Sequence, residues 1–461
     1  MSFDDLDTFT DDPAASGPAA SGQATSGPTA SGPAATSPMA PTGPNLKRRR
    51  LLQGAFAAGG LAAAGTGGLG LAAAQEHSSE EAGALAVHPG LLHTQADFDR
   101  MRAKVNAGLN PWLAGWNKLI ANGRAQSTWT ARPTAVVIRG GDGQNYPQLY
   151  NDIHAAYQNA LRWKVAGTTA HRDKAIQILN AWSHTLTTVG GNADRFLAAG
   201  IYGYQFCAAA DIVREQSGFD LGAFQDMMTG VFLPMNEAFL ANHNDACITN
   251  YWANWDLCNM ASKLAIGIVC DDDGIRDEAI DYFWNGEGNG SIGNAIPFVH
   301  SGGLAQWQES GRDQGHSIMG IGLMATFMEM AWNQGIDLYG ADGNAFAKAA
   351  EYVARYNLGN TVPYTTYSWG TGQDCAYREQ TVIGSGGRGQ VRPVWEMVFH
   401  HYTARRGFAM PNVGSMCGAN SPEGGGGDYG TTSGGFDTLG FGTLAHVRLT
   451  WDEIPDDLKP L

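Results

Sequence analysis

From Leu91 to about Arg355, apolar residues recur at three- and four-residue spacing, as in helices that each bury one face. The clearest stretches are Thr94–Gly108, Tyr146–Gly167, His171–Gly190, Ala193–Gln216, Phe219–Asn242, Tyr251–Val269 and Gly274–Trp284. Short Gly, Asn or Asp loops separate them, and aromatics such as Trp112, Trp116, Trp163, Trp182, Tyr202 and Tyr204 stud them. Many short helices in succession predict antiparallel helix pairs: an all-α chain wound as an α/α toroid. A four-helix bundle would need fewer and longer helices. Past residue 356 the pattern breaks. Thr361–Gly389 is rich in Tyr, Thr and Gly and reads as long loops. Val394–Arg405 reads as one more helix, Ser421–Gly442 as a Gly-rich loop, and Leu444–Thr450 as a short strand or tail.

The N-terminal region has a different character. Residues 1–44 are an Ala/Ser/Gly/Pro/Thr tail with too little apolar surface to offset the entropy of ordering, so disorder is expected. Residues 45–74 hold Lys47-Arg48-Arg49-Arg50-Leu51-Leu52, a mildly apolar Gly/Ala stretch and Ala72-Ala73-Ala74. The segment resembles a twin-arginine export signal with a cleavage site. It is too glycine-rich for a good bilayer span, so no stable membrane insertion is expected after processing. Residues 75–461 form the single folded domain on this reading, in the periplasm or outside the cell.

A net charge of −15 argues against nucleic acid as a partner. It also means that a site for any polyanion must gather the few basic groups in one place. The six cysteines show no CxxC spacing, and no zinc site is indicated. Disulfides and buried thiols both fit their scattered positions. Asp271-Asp272-Asp273-Gly274 lacks the spaced ligands of a calcium loop and reads as an acidic helix start. No metal or cofactor is called for.

Charged residues make up 16% of the chain, yet Gln306–His316 (QWQESGRDQGH) packs three of them and a histidine into eleven positions. On a continuous helix Glu309, Arg312, Asp313 and His316 would share one face. A catalytic site and a buried ion-pair network both explain such a cluster. The second dense segment is His243–Asn259. If helical from about Thr249, it sets Asn250 and Asn254 one turn apart, Tyr251 and Trp255 on the next stripe, and Trp252 and Asp256 on another. Amides that grip a carboxylate, beside aromatic planes that stack on a pyranose, suit a sugar-acid site. Taken singly, each of these residues is as well read as a cap or core group. A third segment, Tyr364–Arg378, offers Tyr367, Tyr377 and Arg378 on a loop. A fourth, Arg388–Tyr402, offers Glu396, His400 and Tyr402, but its apolar neighbours favour a core helix. His154, His184, His243 and His300 stand singly and read as surface or satisfied core residues.

The segments HPGLLHTQADFDRMRAKV, NDIHAAYQNALRWKVAG, ILNAWSHTL, NYWANW and QWQESGRDQGHSIMGIGLMATFMEMAWNQGIDLYG resemble the alginate lyase superfamily of α/α-toroid polysaccharide lyases. Similarity is greatest to polysaccharide lyase family 38, whose activities include lysis of alginate and of β-1,4-glucuronan. It spans about His88 to Tyr402. Family 5 alginate lyases are similar more distantly. Thr249 stands where that family has a histidine, and Ile318 where it has a tyrosine.

The resemblance implies an anionic polyuronate as partner, alginate first and β-1,4-glucuronan as the alternative, and β-elimination as chemistry. A base takes the C5 proton, an acid reaches O4, and donors stabilise the charge that builds on the uronate carboxylate. His316, Arg312, Tyr367, Asn254 and Asn250 are the expected catalytic set. His316 acts as base or neutraliser, Arg312 as the charged fork, and Tyr367 as the proton-transferring tyrosine ahead of Tyr251 and Tyr377. Trp307, Trp252 and Trp255 are the expected stacking residues. Gln314, Glu309, Tyr251, Arg378 and Tyr377 complete the binding set. A toroid hydrolase would need a second carboxylate such as Asp256 or Glu396, because two carboxylates one turn apart cannot flank a glycosidic bond. A non-catalytic polyuronate-binding protein would keep the tryptophans without needing the Arg/His cluster.

Overall fold

The computed structural model describes residues 86–459. The low-complexity tail (1–44) and the arginine-bearing segment (45–74) lie outside the described residues.

Helices α1 (Gln95–Asn106) and α2 (Trp112–Ala121) come first. The start of α1 is set by reciprocal capping, in which the Thr94 hydroxyl accepts from the Asp97 amide and the Asp97 carboxylate accepts from the Thr94 amide. Then follow α3 (Pro147–Ala166) and α4 (Thr169–Ser183), α5 (Arg195–Leu197) and α6 (Gly203–Val213), α7 (Leu221–Met227) and α8 (Leu233–Asn242), α9 (Ala253–Val269) and α10 (Asp273–Asn285). The series continues with α11 (Ile292–Ala295), α12 (Gln314–Asn333), α13 (Ala341–Asn357), α14 (Trp395–His400), α15 (Pro411–Asn420) and α16 (Gly442–Ala445).

These helices form two layers. Every residue of α6 and α9 is buried, as is every residue of α12 except His316 and Trp332. A helix apolar on all sides belongs inside; α4, α7, α8 and α10 bury one stripe and form the outside. The chain runs inward and outward by turns, so α3, α6, α9, α12 and α14 each pack on the next inner helix. Neighbouring inner helices run parallel. Gly200 lies against Cys258 and Gly203 against Ser262, while Gly322 lies against Val394 and Glu329 bonds His401. At the seam, α16 packs on α1 and α2, the Trp112 indole donates to the Val447 carbonyl, and Arg448 pairs with Asp97 at 3.0 Å. This is the α/α toroid expected from the helical pattern. The apolar stretch Arg195–Val213 is long enough to cross a bilayer but lies 94% buried inside the ring.

Three small sheets qualify the all-α expectation. β1 (Val136–Arg139) runs parallel to β2 (Thr188–Gly191), so the helical pattern of His171–Gly190 ends in a strand. β3 (Phe298–Val299) pairs with β4 (Ala305–Gln306). β5 (Tyr367–Thr371) and β6 (Ala376–Gln380) form an antiparallel hairpin inside the segment read as long loops, with Trp369 opposite Arg378. Leu444–Thr450 holds no strand; it begins within the turn of α16.

Candidate active site

Because neighbouring inner helices run parallel, α9 and α12 begin side by side. The partial positive charge of their first turns meets at one end of the ring. Trp252, the residue before α9, supplies no side-chain cap. Two side chains from the neighbouring segment do so instead. Gln308 Oε1 accepts from the Ala253 amide at 3.1 Å, and Glu309 Oε1 accepts from the Asn254 amide at 2.8 Å.

The cluster Glu309–His316 is not one helix. Gln308–Gly311 is a 3₁₀ turn, Asp313 is fully extended (φ −165°, ψ 169°), and α12 begins only at Gln314. The four ionisable side chains meet all the same, as two linked pairs. Arg312 lies 3.2 Å from Glu309 Oε2, 3.5 Å from Asp313 and 5.4 Å above the Trp252 ring. Asp313 caps α12: one oxygen accepts from the His316 amide at 2.8 Å and the other lies 2.7 Å from His316 Nδ1.

Charge states follow from these contacts. Hydrogen bonds and the pairing with His316, with Arg312 adding, outweigh burial and hold the Asp313 carboxyl down at about 2. It is therefore ionised and can only accept, so His316 Nδ1 carries the proton and Nε2 the lone pair. Burial, with Arg312 and Arg392 adding, pushes the His316 ring below its ordinary 6.5. A quarter of the His316 side chain (26%) remains exposed. The result is a neutral, oriented, accessible imidazole. Glu309 is wholly enclosed, and burial pushes its carboxyl up to about 8 against the pull of Arg312 and the Asn254 amide.

The β5–β6 hairpin is fastened to the segment that leads into α9. Cys247 and Cys375 form a disulfide. The Thr249 hydroxyl donates to the Gly370 carbonyl and accepts from its amide, both at 3.0 Å. The Asn250 carboxamide oxygen accepts from the Gly372 amide at 2.7 Å. Tyr367 sits on β5, not on a loop. It is 8% exposed, its hydroxyl donates to Asn289 Oδ1 at 3.1 Å, and burial pushes its pKa up to about 12. Trp369 stacks on it and leans on Trp252 at 5.0 Å.

Several expected site residues have other duties. Helix α9 starts at Ala253, so Asn250 and Asn254 do not share a helical face; Asn250 holds the hairpin turn. Asn254 stays near the cluster with its side-chain oxygen buried and unpartnered. Trp307 is fully buried beneath α12, where a Cβ on Gly320 would come within 2.7 Å of its ring, so it cannot stack on a sugar. Trp255 and Tyr251 pack on each other and on Phe239 as core, and the Tyr251 hydroxyl bonds Asn244. Gln314 turns away to the carbonyls of Ser310 and Gly384 and to Asn357. Tyr377 and Arg378 are exposed on β6, where the Tyr377 hydroxyl bonds Glu379. Asp256 is buried between His243 and Tyr282, and Glu396 beside Thr443 and His400, so neither offers the second carboxylate of a hydrolase. Tyr402 donates to the Tyr339 carbonyl, in keeping with the core-helix reading of its segment.

Three contributors escaped the sequence reading: Gln308, Asn289 and Arg392. Gln308 lies inside the charged cluster but was passed over for its ionisable neighbours, and Asn289 lies in a segment without a motif. Arg392 follows a Gly-rich loop, pairs with Asp437 and faces the His316 ring electrostatically.

The model of the family described as alginate lyase matches residues 125–362. No curated protein sequence matches the chain significantly. Among solved structures, a histidine-to-alanine variant of alginate lyase A1-III complexed with tetrasaccharide is similar over 80% of this chain and 98% of that one. The identity is 14% and the TM-score 0.55. The apo form of the same variant matches over 79% and 98%, at 14% identity and a TM-score of 0.53. At such identity the likeness is one of fold, and it agrees with the toroid described above.

Proposed function

The chain belongs to the alginate lyase family and is a polysaccharide lyase, and from that premise we propose that it cleaves alginate by β-elimination in the periplasm or outside the cell. The observation that carries the mechanism is the Asp313–His316 pair. A neutral imidazole with its Nδ1 proton committed to a carboxylate leaves Nε2 free to accept the C5 proton. Arg312 neutralises the uronate carboxylate as the carbanion develops, and the first turns of α9 and α12 add positive potential there. Trp252, with Arg312 above it, forms the wall beside the sugar. Tyr367 stays protonated; its one proton, held on Asn289 Oδ1 before substrate binds, turns to the departing O4, a role for an acid and not for a base. Reprotonation at O4 and loss of the C5 proton together leave a 4,5-unsaturated uronate. The disulfide favours an oxidising compartment, as does the twin-arginine-type segment at Lys47–Leu52.

The test is direct. The purified protein is incubated with alginate, and in parallel with β-1,4-glucuronan, and the ultraviolet absorbance of the unsaturated product is followed. Absorbance with alginate that is lost in folded His316→Ala and Arg312→Ala variants supports the reading. New reducing ends without absorbance would mean hydrolysis and would sink it. Absorbance with glucuronan alone would keep the chemistry and replace the substrate.

A further inference from the structure

The Tyr367 hydroxyl meets two carboxamides, Gln308 and Asn289, and the one that accepts its proton is Asn289, in the Gly286–Ser291 connection between α10 and α11. Asn289 Nδ2 donates to the carbonyls of Thr249 at 3.1 Å and Tyr251 at 2.7 Å. Two carbonyl partners fix which way the amide is turned, because only the nitrogen can donate. The remaining oxygen therefore faces the Tyr367 hydroxyl and makes it the donor at 3.1 Å. Asn289 is 3% exposed, so water does not compete at these contacts.

The connection that carries Asn289 is itself held from below. Asp256 Oδ1 accepts from Tyr282 at 2.7 Å and lies 2.8 Å from His243 Nε2. Gly288 closes over this group: a Cβ there would come within 2.3 Å of Asp256, 2.5 Å of Tyr282 and 2.6 Å of His243. The Asp256–His243–Tyr282 group resembles a catalytic triad in composition. However, Asp256 and His243 have no exposed surface, so its work is to fix the backbone on either side of Asn289.

We propose that Asn289 is a positioning residue for the elimination, holding the Tyr367 phenol over the site and linking it to the segment that enters α9. The proposal rests on Tyr367 being the proton donor, so its test separates the two. The wild type, Asn289→Ala, Tyr367→Phe and the double variant are compared for kcat and KM on alginate, with thermal melts as a check on folding. The expected result is a fall in kcat of about tenfold or more for Asn289→Ala, with KM changed by less than about threefold. Tyr367→Phe falls further, and adding Asn289→Ala to it costs nothing more, because the hydroxyl through which Asn289 acts is already gone. If Asn289→Ala melts too early to assay, Asn289→Ser, which keeps one donor, takes its place in the cycle.

Additive losses would overturn the proposal and assign Asn289 to the backbone of the 249–251 segment alone. Full activity in Asn289→Ala would also overturn it. Full activity in Tyr367→Phe would remove Tyr367 as donor, and the positioning role with it, while leaving the protein a lyase. Absence of any unsaturated product from the wild type would remove both.

Discussion

Asp313 holds both the backbone and the ring of His316: its two carboxylate oxygens meet the His316 amide at 2.8 Å and Nδ1 at 2.7 Å. Asp313→Asn separates these duties. The asparagine oxygen still caps α12, so the melting temperature should stay within a few degrees. Its NH2 group then faces Nδ1 and donates to it, which moves the ring proton to Nε2 and removes the base. The expected loss in kcat is about 100-fold or more with little change in KM, read from the absorbance assay on folded protein.

The pH profile should have an acid limb below 6.5. His316 has a pKa below that value, and only its neutral form has a lone pair, so kcat/KM falls as pH drops through that pKa and is flat from there to about pH 7. Asp313 near 2 stays ionised through this range and Tyr367 near 12 stays protonated. On the alkaline side the sensitive group is Glu309. As it ionises near 8 it neutralises Arg312, where the uronate carboxylate is to bind, so KM should rise there while kcat holds. Glu309→Gln should abolish that rise. An acid limb centred above 6.5 would remove His316 as the base.

Reduction of Cys247–Cys375, or Cys375→Ser, frees the turn of the β5–β6 hairpin from the segment before α9. The bond spans 128 residues of sequence, and its loss should cost about 2–4 kcal/mol of stability. Hydrogen exchange should rise first in residues 367–380, and kcat should fall because Tyr367 rides on β5. Unchanged exchange in the hairpin would mean that the Thr249 and Asn250 hydrogen bonds suffice to hold it.

Trp307→Ala should act on stability and not on substrate. The ring is fully buried against Gly320, so truncation should cost about 3–5 kcal/mol in denaturant unfolding. Any protein that remains folded should keep its KM. A tenfold rise in KM at unchanged stability would return Trp307 to the sugar-binding surface.

The helical core was legible because its period is unambiguous over long stretches: Tyr146–Gly167 and Tyr251–Val269 lie within two residues of α3 and α9 at each end. The hairpin was missed where Gly and Thr dilute the signal, although Tyr367 and Trp369 alternate around a Gly372-Gln373-Asp374 turn. The site was legible in its charged residues and misread in its tryptophans. A charged residue in a buried segment must find partners, so Arg312 and His316 announced a cluster wherever the helix began. A tryptophan suits core and cleft equally. Only packing separates Trp252, which meets Arg312, from Trp255, which meets Phe239. Asn289 gave no signal, because a lone asparagine between glycines reads as a turn.

Helix α12 is clasped at both ends. Asp313 caps its start, Gln314 ties that start to Gly384 and Asn357, and Glu329 near its far end is gripped by His401 and Arg405. Between them the helix is packed on all sides and has no room to slide. Entry and exit of a polymer must therefore be accommodated by the strands and connections above it. Arg312 and His316 stand at the start of this fixed floor, while Tyr367 hangs from a roof attached at separate points. Rebuilding the roof for a new polymer must therefore leave β5 in place, because it carries the proton donor.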